Sequence, residues 1–314
     1  MLQRRMVFAA AAALPVAARA QAAWQPDRPV QIWVAFAPGG AADVLARALA
    51  AHIERTRGWS VVVTNRTGGA GVVMANALRG AAADGHTLGF TVSAAHVLPA
   101  VTAVPPPYAI GDFASIARVA RAELAVVTRT DGPLATADDL RAHARQRGQV
   151  SVAAQGPEVV LGVRALARHL GVTLEPIPVR GGAEGLTQLL GGHVDAAVLA
   201  GVQAPGVREG RLREIVAFGA MPTMLSPRVA TLRSLGLDVA VEPWFQLIAP
   251  RGVPAAAIAA QAAAIGEAVA DPEMRRLAAE RLSLRAEFLG PAETAAATQD
   301  DAEGFRRLHE AFGR

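Results

Sequence analysis

The run Val30-Gln31-Ile32-Trp33-Val34-Ala35-Phe36-Ala37-Pro38-Gly39-Gly40-Ala41-Ala42-Asp43 constrains the fold of this chain more than any other stretch. It starts as an apolar segment long enough for a buried strand and passes through a Pro-Gly-Gly turn. It then opens an Ala-rich stretch, residues 44–53, at helical spacing. A strand that feeds a glycine turn and then a helix start forms an anion site. The first helical amides have no internal partner, the peptide dipoles add positive potential there, and glycine lets backbone approach a ligand closely. A turn of this kind grips a carboxylate.

The same unit recurs. Val61-Val62-Val63 reads as a short strand, Asn65-Arg66-Thr67-Gly68-Gly69-Ala70-Gly71 as a second glycine turn, 72–78 as a helix and 87–92 as a strand. Strands alternating with helices imply a parallel sheet covered by helices. Residues 93–107, with Pro99 and Pro105-Pro106-Pro107, read as irregular, and 113–127 as a strand pair or one long strand. The alternation then resumes. Helices are expected at 137–147, 159–170 and 184–190, and strands at 150–154, 174–179, 194–199 and 212–218. Gln155-Gly156-Pro157 and Arg180-Gly181-Gly182 form the turns. A strand at 244–250 returns between the halves, followed by helices at 255–270, 273–281 and 292–312. Asp271 and Pro272 mark the start of the second of these. The pattern predicts an α/β protein of two lobes. Ligands bind beyond the carboxyl ends of parallel strands and in clefts between lobes.

Residues 1–20 read as a secretory signal peptide. Arg4 and Arg5 are followed by an apolar stretch too short to span a bilayer, and Ala18-Arg19-Ala20 forms a small-x-small cleavage site. Removing Arg4, Arg5 and Arg19 takes the basic residues from 31 to 28 against 27 acidic ones, a net charge of +1. No dense basic run suits nucleic acid. The chain has no cysteine and no lysine, which excludes thiol catalysis, Walker-type phosphate loops and Schiff-base chemistry. The seven histidines lack metal-ligand spacing; His96 is the one placed near the expected cleft. Gly68-Gly69-x-Gly71 does not match the dinucleotide fingerprint, and there is no Gly-x-Ser-x-Gly nucleophile elbow. The expectation is no cofactor, no metal and no catalysis.

An ordered set of motifs resembles the substrate-binding proteins of tripartite tricarboxylate transporters, the Bug type. It comprises Phe36-x-Pro38-Gly39-Gly40-x-x-Asp43-x-x-Ala46-Arg47, Asn65-Arg66-x-Gly68-x-x-Gly71, Asp84-Gly85-His86-Thr87-Leu88, Gly111-Asp112-Phe113, Pro178-Val179-Arg180-Gly181-Gly182, Gly191-Gly192-His193-Val194-Asp195 and Trp244-Phe245 to Pro254. The resemblance implies a two-lobed, type II-like periplasmic-binding-protein fold. Its two mixed or parallel sheets are flanked by helices around a central ligand cleft. One lobe would hold 21–121 plus 247–314 and the other 122–246. It implies a monomeric periplasmic receptor that captures a small organic acid and delivers it to the membrane subunits of a transporter. The alternatives are a ligand-sensing partner of a membrane signalling protein and an exported enzyme.

Carried onto this sequence, Phe36, Ala37, Pro38, Gly39, Gly40 and Ala41 would line the first-lobe wall through backbone amides, with Ser93 and Ala94 beside them. Asp43 is either a ligand contact or a carboxylate that fixes the loop. The second-lobe candidates are Ser151, Gln155, Gly156, Arg180, Ala200 and Gly201. Here the chain departs from the family pattern Ser-x-Gly-x-Gly-Ser-x-x-His-Leu. Pro157 and Val160 stand where the second serine and the histidine would be, and Leu199 stands where an acidic or polar residue is common. Fewer hydroxyl donors in the cleft favour a ligand with an apolar tail.

Overall fold

Alternating burial in Val30, Ile32 and Val34 defines the first strand, β1 (Val30–Val34), whose buried side chains meet one face of α1 (Ala41–Arg57). Leu45, Leu49 and Ile53 recur at helical spacing on that face, and removing each from water contributes about 1.5–3 kcal/mol. Gly58, at φ 66°, ends α1 by donating its amide to Glu54. The computed structural model describes residues 24–313, so the expected signal peptide lies outside the described residues.

The chain continues through β2 (Val61–Asn65), α2 (Val72–Arg79), β3 (Thr87–Val92), α3 (Ser93–Thr102), β4 (Phe113–Ala122) and β5 (Ala125–Arg129). Next come α4 (Ala137–Arg147), β6 (Val150–Ala154), α5 (Pro157–Leu170), β7 (Leu174–Pro178), α6 (Gly182–Leu190), β8 (Ala196–Leu199) and α7 (Ala204–Arg208). Then β9 (Leu212–Ala217), β10 (Ala230–Thr231), β11 (Trp244–Pro250), α8 (Ala255–Ala270), α9 (Pro272–Arg276), β12 (Leu284–Leu289) and α10 (Pro291–Phe312) complete the fold.

Two mixed six-stranded sheets result, ordered β12-β4-β11-β3-β1-β2 and β10-β9-β5-β8-β6-β7. In the first, β1 pairs parallel with β2 and β3, and β11 inserts antiparallel between β3 and β4. In the second, β6 pairs parallel with β7 and β8, and β5 runs antiparallel to β8 and β9. The carboxyl ends of β1, β2 and β3 thus lie at one end of the first sheet. Those of β6, β7, β8 and β9 lie at one end of the second. The chain crosses between sheets through the short link from β4 to β5 and returns before Trp244. The two walls are also strapped by α10. Its Ala302, Phe305 and Leu308 sit in the second sheet's core, while its Thr294 hydroxyl accepts the Arg118 amide of β4 at 3.0 Å.

Three sequence expectations are revised. Residues 93–102 form a helix despite Pro99. Proline has no amide to donate, which orphans the Ala95 carbonyl. The Tyr108 hydroxyl shares its one proton between that carbonyl at 3.3 Å and the His96 carbonyl at 2.9 Å, and so partly repairs the ladder. The helix expected over 273–281 stays α-helical only to Arg276 and then widens into a π turn, Leu277–Arg281. That turn and Ser283, at φ 51°, redirect the chain into β12, an edge strand not foreseen from the sequence.

Candidate functional site

On the first-sheet side, Asp43 in the first turn of α1 holds the glycine turn in place. Its Oδ2 accepts the Gly39 amide at 3.0 Å, and its Oδ1 accepts Asn65 Nδ2 at 2.9 Å. Arg47, one helical turn on, bonds both oxygens at 3.1 Å. Asn65 also donates to the Phe36 carbonyl at 2.9 Å, and the Arg66 amide to Val34 at 2.7 Å. The bond from Arg47, with those from Gly39 and Asn65, holds the Asp43 carboxyl at about 2, against the opposing effect of burial. Asp43 is 4 % exposed, so both its oxygens serve the loop and neither is offered to solvent.

The turn so fixed leaves Ala37, Pro38, Gly39 and Gly40 exposed. Gly40 caps α1 without a side-chain bond, which leaves the leading amides of the helix free for an anion. The second glycine turn packs close behind. A Cβ on Gly71, at φ 103°, would lie 3.4 Å from Ala95 and 3.6 Å from Ala35.

On the second-sheet side, α5 and α6 also start at glycines, Gly156 and Gly181, without side-chain caps. Thr136 caps α4 and Asp271 caps α9, while α2, α3, α7, α8 and α10 likewise begin without an N-cap side-chain bond. Gln155 lays its Oε1 over the start of α6, within 3.9 Å of a Cβ built on Gly182. Exposed Val202 lies 3.2 Å from that same point. Glu158 folds back over Gly156, each carboxylate oxygen 2.8 Å from where a Cβ there would sit. Burial pushes the Glu158 carboxyl upward, partly offset by its own amide. Gly201, at φ 87°, packs against the turn before β12; a Cβ there would come within 2.9 Å of the Leu282 carbonyl. Ala200 touches the cores of both sheets.

Phe36, Ala37, Pro38, Gly39, Gly40 and Ala41 form the turn and first residue at the start of α1, and Gln155 and Gly156 form the turn at the start of α5. Ala200 and Gly201 lie near the junction of the sheets. Other expected residues are placed differently. Ser93 is fully buried at the first residue of α3: its hydroxyl accepts the Trp244 amide at 3.2 Å and bonds Asp301, tying α3, β11 and α10 together. Ala94 is buried beside it. Ser151 lies at the amino end of β6, where its hydroxyl donates to Asp195 at 2.8 Å, while Gln155 follows the carboxyl end. Arg180 extends into solvent, 94 % exposed, and bonds Glu184 at 3.1 Å. His96 is buried against Gln246, at 3.1 Å, and the Phe113 ring; desolvation drives it down to about 4. The sequence reading passed over Glu158. Its signal was an acid placed directly after the Gly-Pro start of α5. Arg47 and Asn65 stood in the motifs, but without a role.

Two cavities of about 240 and 250 Å³ lie away from these loops. One is bounded by Glu242, Asp301 and Phe305, the other by Arg129, His143 and Asp195. Among the described residues, no group of three or more His, Asp or Glu side chains is arranged to hold a metal ion, and no helix is long and apolar enough to cross a membrane.

The family model for the tripartite tricarboxylate transporter family receptor, TctC, matches residues 45–284. Protein BugT of Bordetella pertussis is 34% identical over 245 residues, covering 76% of this chain and 75% of BugT. A UPF0065 protein of Cupriavidus necator is 31% identical over 258 residues, covering 80% of this chain and 78% of that protein. Among solved structures, a ligand-free TctC solute-binding protein from Polaromonas superposes with a TM-score of 0.79 at 23% identity, covering 91% of this chain and 99% of that one. MatC from Rhodopseudomonas palustris with bound malate gives 0.73 at 26% identity, covering 90% of this chain and 99% of MatC.

Proposed function

We propose, for a chain that belongs to the tripartite tricarboxylate transporter receptor family, that it is an exported periplasmic receptor which captures a small organic carboxylate between its two walls. It passes that ligand to the membrane subunits of a tripartite transporter and performs no chemistry on it. The observation that carries this reading is the uncapped start of α1 behind a turn locked by Asp43. Neutral amides and the helix dipole attract a carboxylate. Because Asp43 already holds the turn in shape, little ordering entropy is lost on binding. The bound malate of MatC supports the ligand class. The lobes are taken as 21–121 with 247–314, and 122–246. A ligand bound by amides of both stabilises the closed arrangement by its differential affinity for it.

A thermal-shift screen of organic acids tests this. Ligand at 100 times its dissociation constant adds about 2.7 kcal/mol of stability, a clear rise in melting temperature. Folded, ligand-free protein that no carboxylate stabilises would overturn the reading. Turnover of a bound acid would overturn the absence of chemistry.

A further inference from the structure

Two of the strand-exit loops on the second wall are joined by a side chain that belongs to neither. Glu214 lies in β9, and its carboxyl accepts Gln203 Nε2 at 2.8 Å and the Thr223 hydroxyl. Gln203 closes the exit from β8, after Ala200, Gly201 and Val202, and Thr223 lies in the exit from β9. All three side chains are buried: Glu214 is 8 % exposed, Gln203 1 % and Thr223 3 %. Gln203 Oε1 has no partner among the described residues, so the bond to Glu214 is what orients that side chain. The Thr223 hydroxyl also accepts the Ser226 amide at 3.0 Å, which carries the bridge further along its loop.

The sheet itself does not make this link. β5 stands between β8 and β9, so no backbone ladder runs from one exit loop to the other. The pairing of β5 with β9 slips at Ile215, next to Glu214, and a bulge of this kind re-aims a side chain. Both partners of Glu214 are neutral, and a buried carboxyl is costly unless its bonds are made. Apolar groups of the same shape in place of such a set are nearly neutral or stabilising. What the polar set adds is a fixed relation between the two loops. Both loops also reach one segment of the first sheet. Gly201, at φ 87°, packs against Leu282 and Ser283. The Met224 amide donates to Glu123 at 2.6 Å, and the other Glu123 oxygen accepts Arg285 at 2.8 Å. Between Gly201 and Gln203, Val202 stays exposed and lies over Gly182 at the start of α6.

We propose that Glu214 is a positioning residue for ligand capture. By bonding Gln203 and Thr223 it holds the exits of β8 and β9 as one unit. That unit sets Val202 on the second wall and seats the wall against residues 282–285. This rests on the receptor reading above, in which the ligand meets the carboxyl ends of the parallel strands, and adds a residue that touches no ligand but sets the affinity for it.

The test measures affinities for malate, adipate, hexanoate and benzoate by calorimetry, at a temperature well below every melting transition. Wild-type protein is compared with Glu214→Gln, with Thr223→Val, and with the exchange that combines Gln203→Glu and Glu214→Gln. Glu214→Gln sets an amide donor against one of its two donors and breaks one bond. The exchange restores both, because the new amide on β9 donates to the new carboxylate before α7 and still accepts the Thr223 hydroxyl. Glu214→Gln should weaken the acid that wild type binds best by about tenfold, and the exchange should return it to within about threefold. Thr223→Val breaks the bridge from the loop side, keeps the test open should Glu214→Gln not fold, and should weaken the same acid by about threefold or more. Amide hydrogen exchange in Glu214→Gln should quicken at 200–203 and 219–224 and stay unchanged in the rest of the second sheet. Variants that melt lower yet bind every acid within about twofold of wild type would make the bridge purely structural. That result, or an exchange that restores the melting temperature without the affinity, overturns the proposal and leaves the receptor reading standing. Wild-type protein that binds none of these acids overturns both.

Discussion

On the first wall the glycine turn is bound to segments outside itself: Asp43 joins it to α1 through Arg47 and to the end of β2 through Asn65. On the second wall the corresponding turns bond mainly to their own helices. Arg180 reaches Glu184 one turn along α6, and Glu158 folds over its own helix start. Both walls grow from the same strand–glycine–helix unit. The first turn is fixed by a network whose removal disturbs three elements, whereas the second consists of local pieces that can change one at a time. A receptor family can keep one half of its grip and vary the other when the halves are built this way.

The change that breaks the first wall most directly is Asp43→Ala. It leaves the Gly39 amide, the Asn65 amide and Arg47 without their acceptor, and should cost about 2–4 kcal/mol in urea unfolding. Carboxylate affinity should fall by at least about tenfold, because the turn loses its shape along with its stability. Acid exposes the same dependence. The folded Asp43 carboxyl titrates near 2, below its ordinary 3.8, so its contribution is complete above 3.8 and is lost as pH falls through about 2. Urea midpoints measured from pH 5 down to 2 should fall more steeply for wild type than for Asp43→Asn. Equal slopes would remove Asp43 from its place as the anchor of this wall.

The next change tests where the first wall ends. Ser93 was expected to line it, but its hydroxyl joins β11 to α10 instead. Ser93→Ala should cost about 1–3 kcal/mol by leaving the buried Trp244 amide unpaired, and carboxylate affinity should stay within about twofold. A large loss of affinity at unchanged stability would return Ser93 to the wall. Ser151 makes the parallel case on the second wall. A strand rises about 3.3 Å per residue, so this serine is on the order of 13 Å from the turn at Gln155. Ser151→Ala should cost about 1 kcal/mol through its lost bond to Asp195 and leave binding unchanged.

These serines show which parts of the molecule the sequence made legible. The α/β alternation was readable because Val30, Ile32 and Val34 and the stripe of α1 carry their periodicity locally. The turn before α1 was readable for the same reason: Pro38, Gly39, Gly40 and Asp43 lie within one short stretch, residues 38–43. The roles of Ser93 and Ser151 were not, since Asp301 and Asp195 reach them through tertiary structure. The helix α3 was hidden by Pro99, whose missing hydrogen bond is supplied by Tyr108 from outside the helix. The strand β12 was hidden by the π turn before it and by an edge position that buries little of it. Glu158 was visible as a letter but not as a group, because its fold back over Gly156 is set by its side-chain rotamer and not by spacing.

The smallest effect is expected at Arg180, where the comparison between walls can be sharpened most simply. A cation at a glycine turn beside a helix start is what a carboxylate receptor would be expected to use, and bidentate pairing suits arginine. Here Glu184 takes up that cation, and the Arg180 amide and guanidinium together hold the Glu184 carboxyl below the usual range. Exposed pairs one helical turn apart contribute little and are screened by salt. Arg180→Ala should therefore leave the melting temperature unchanged and shift carboxylate affinity by less than about twofold, with no added salt dependence. If instead affinity fell tenfold and its salt dependence flattened, Arg180 would leave Glu184 on binding and meet the ligand. The second wall would then offer a cation after all, and the contrast between a turn bound to other elements and turns bound to their own helices would have to be redrawn around it.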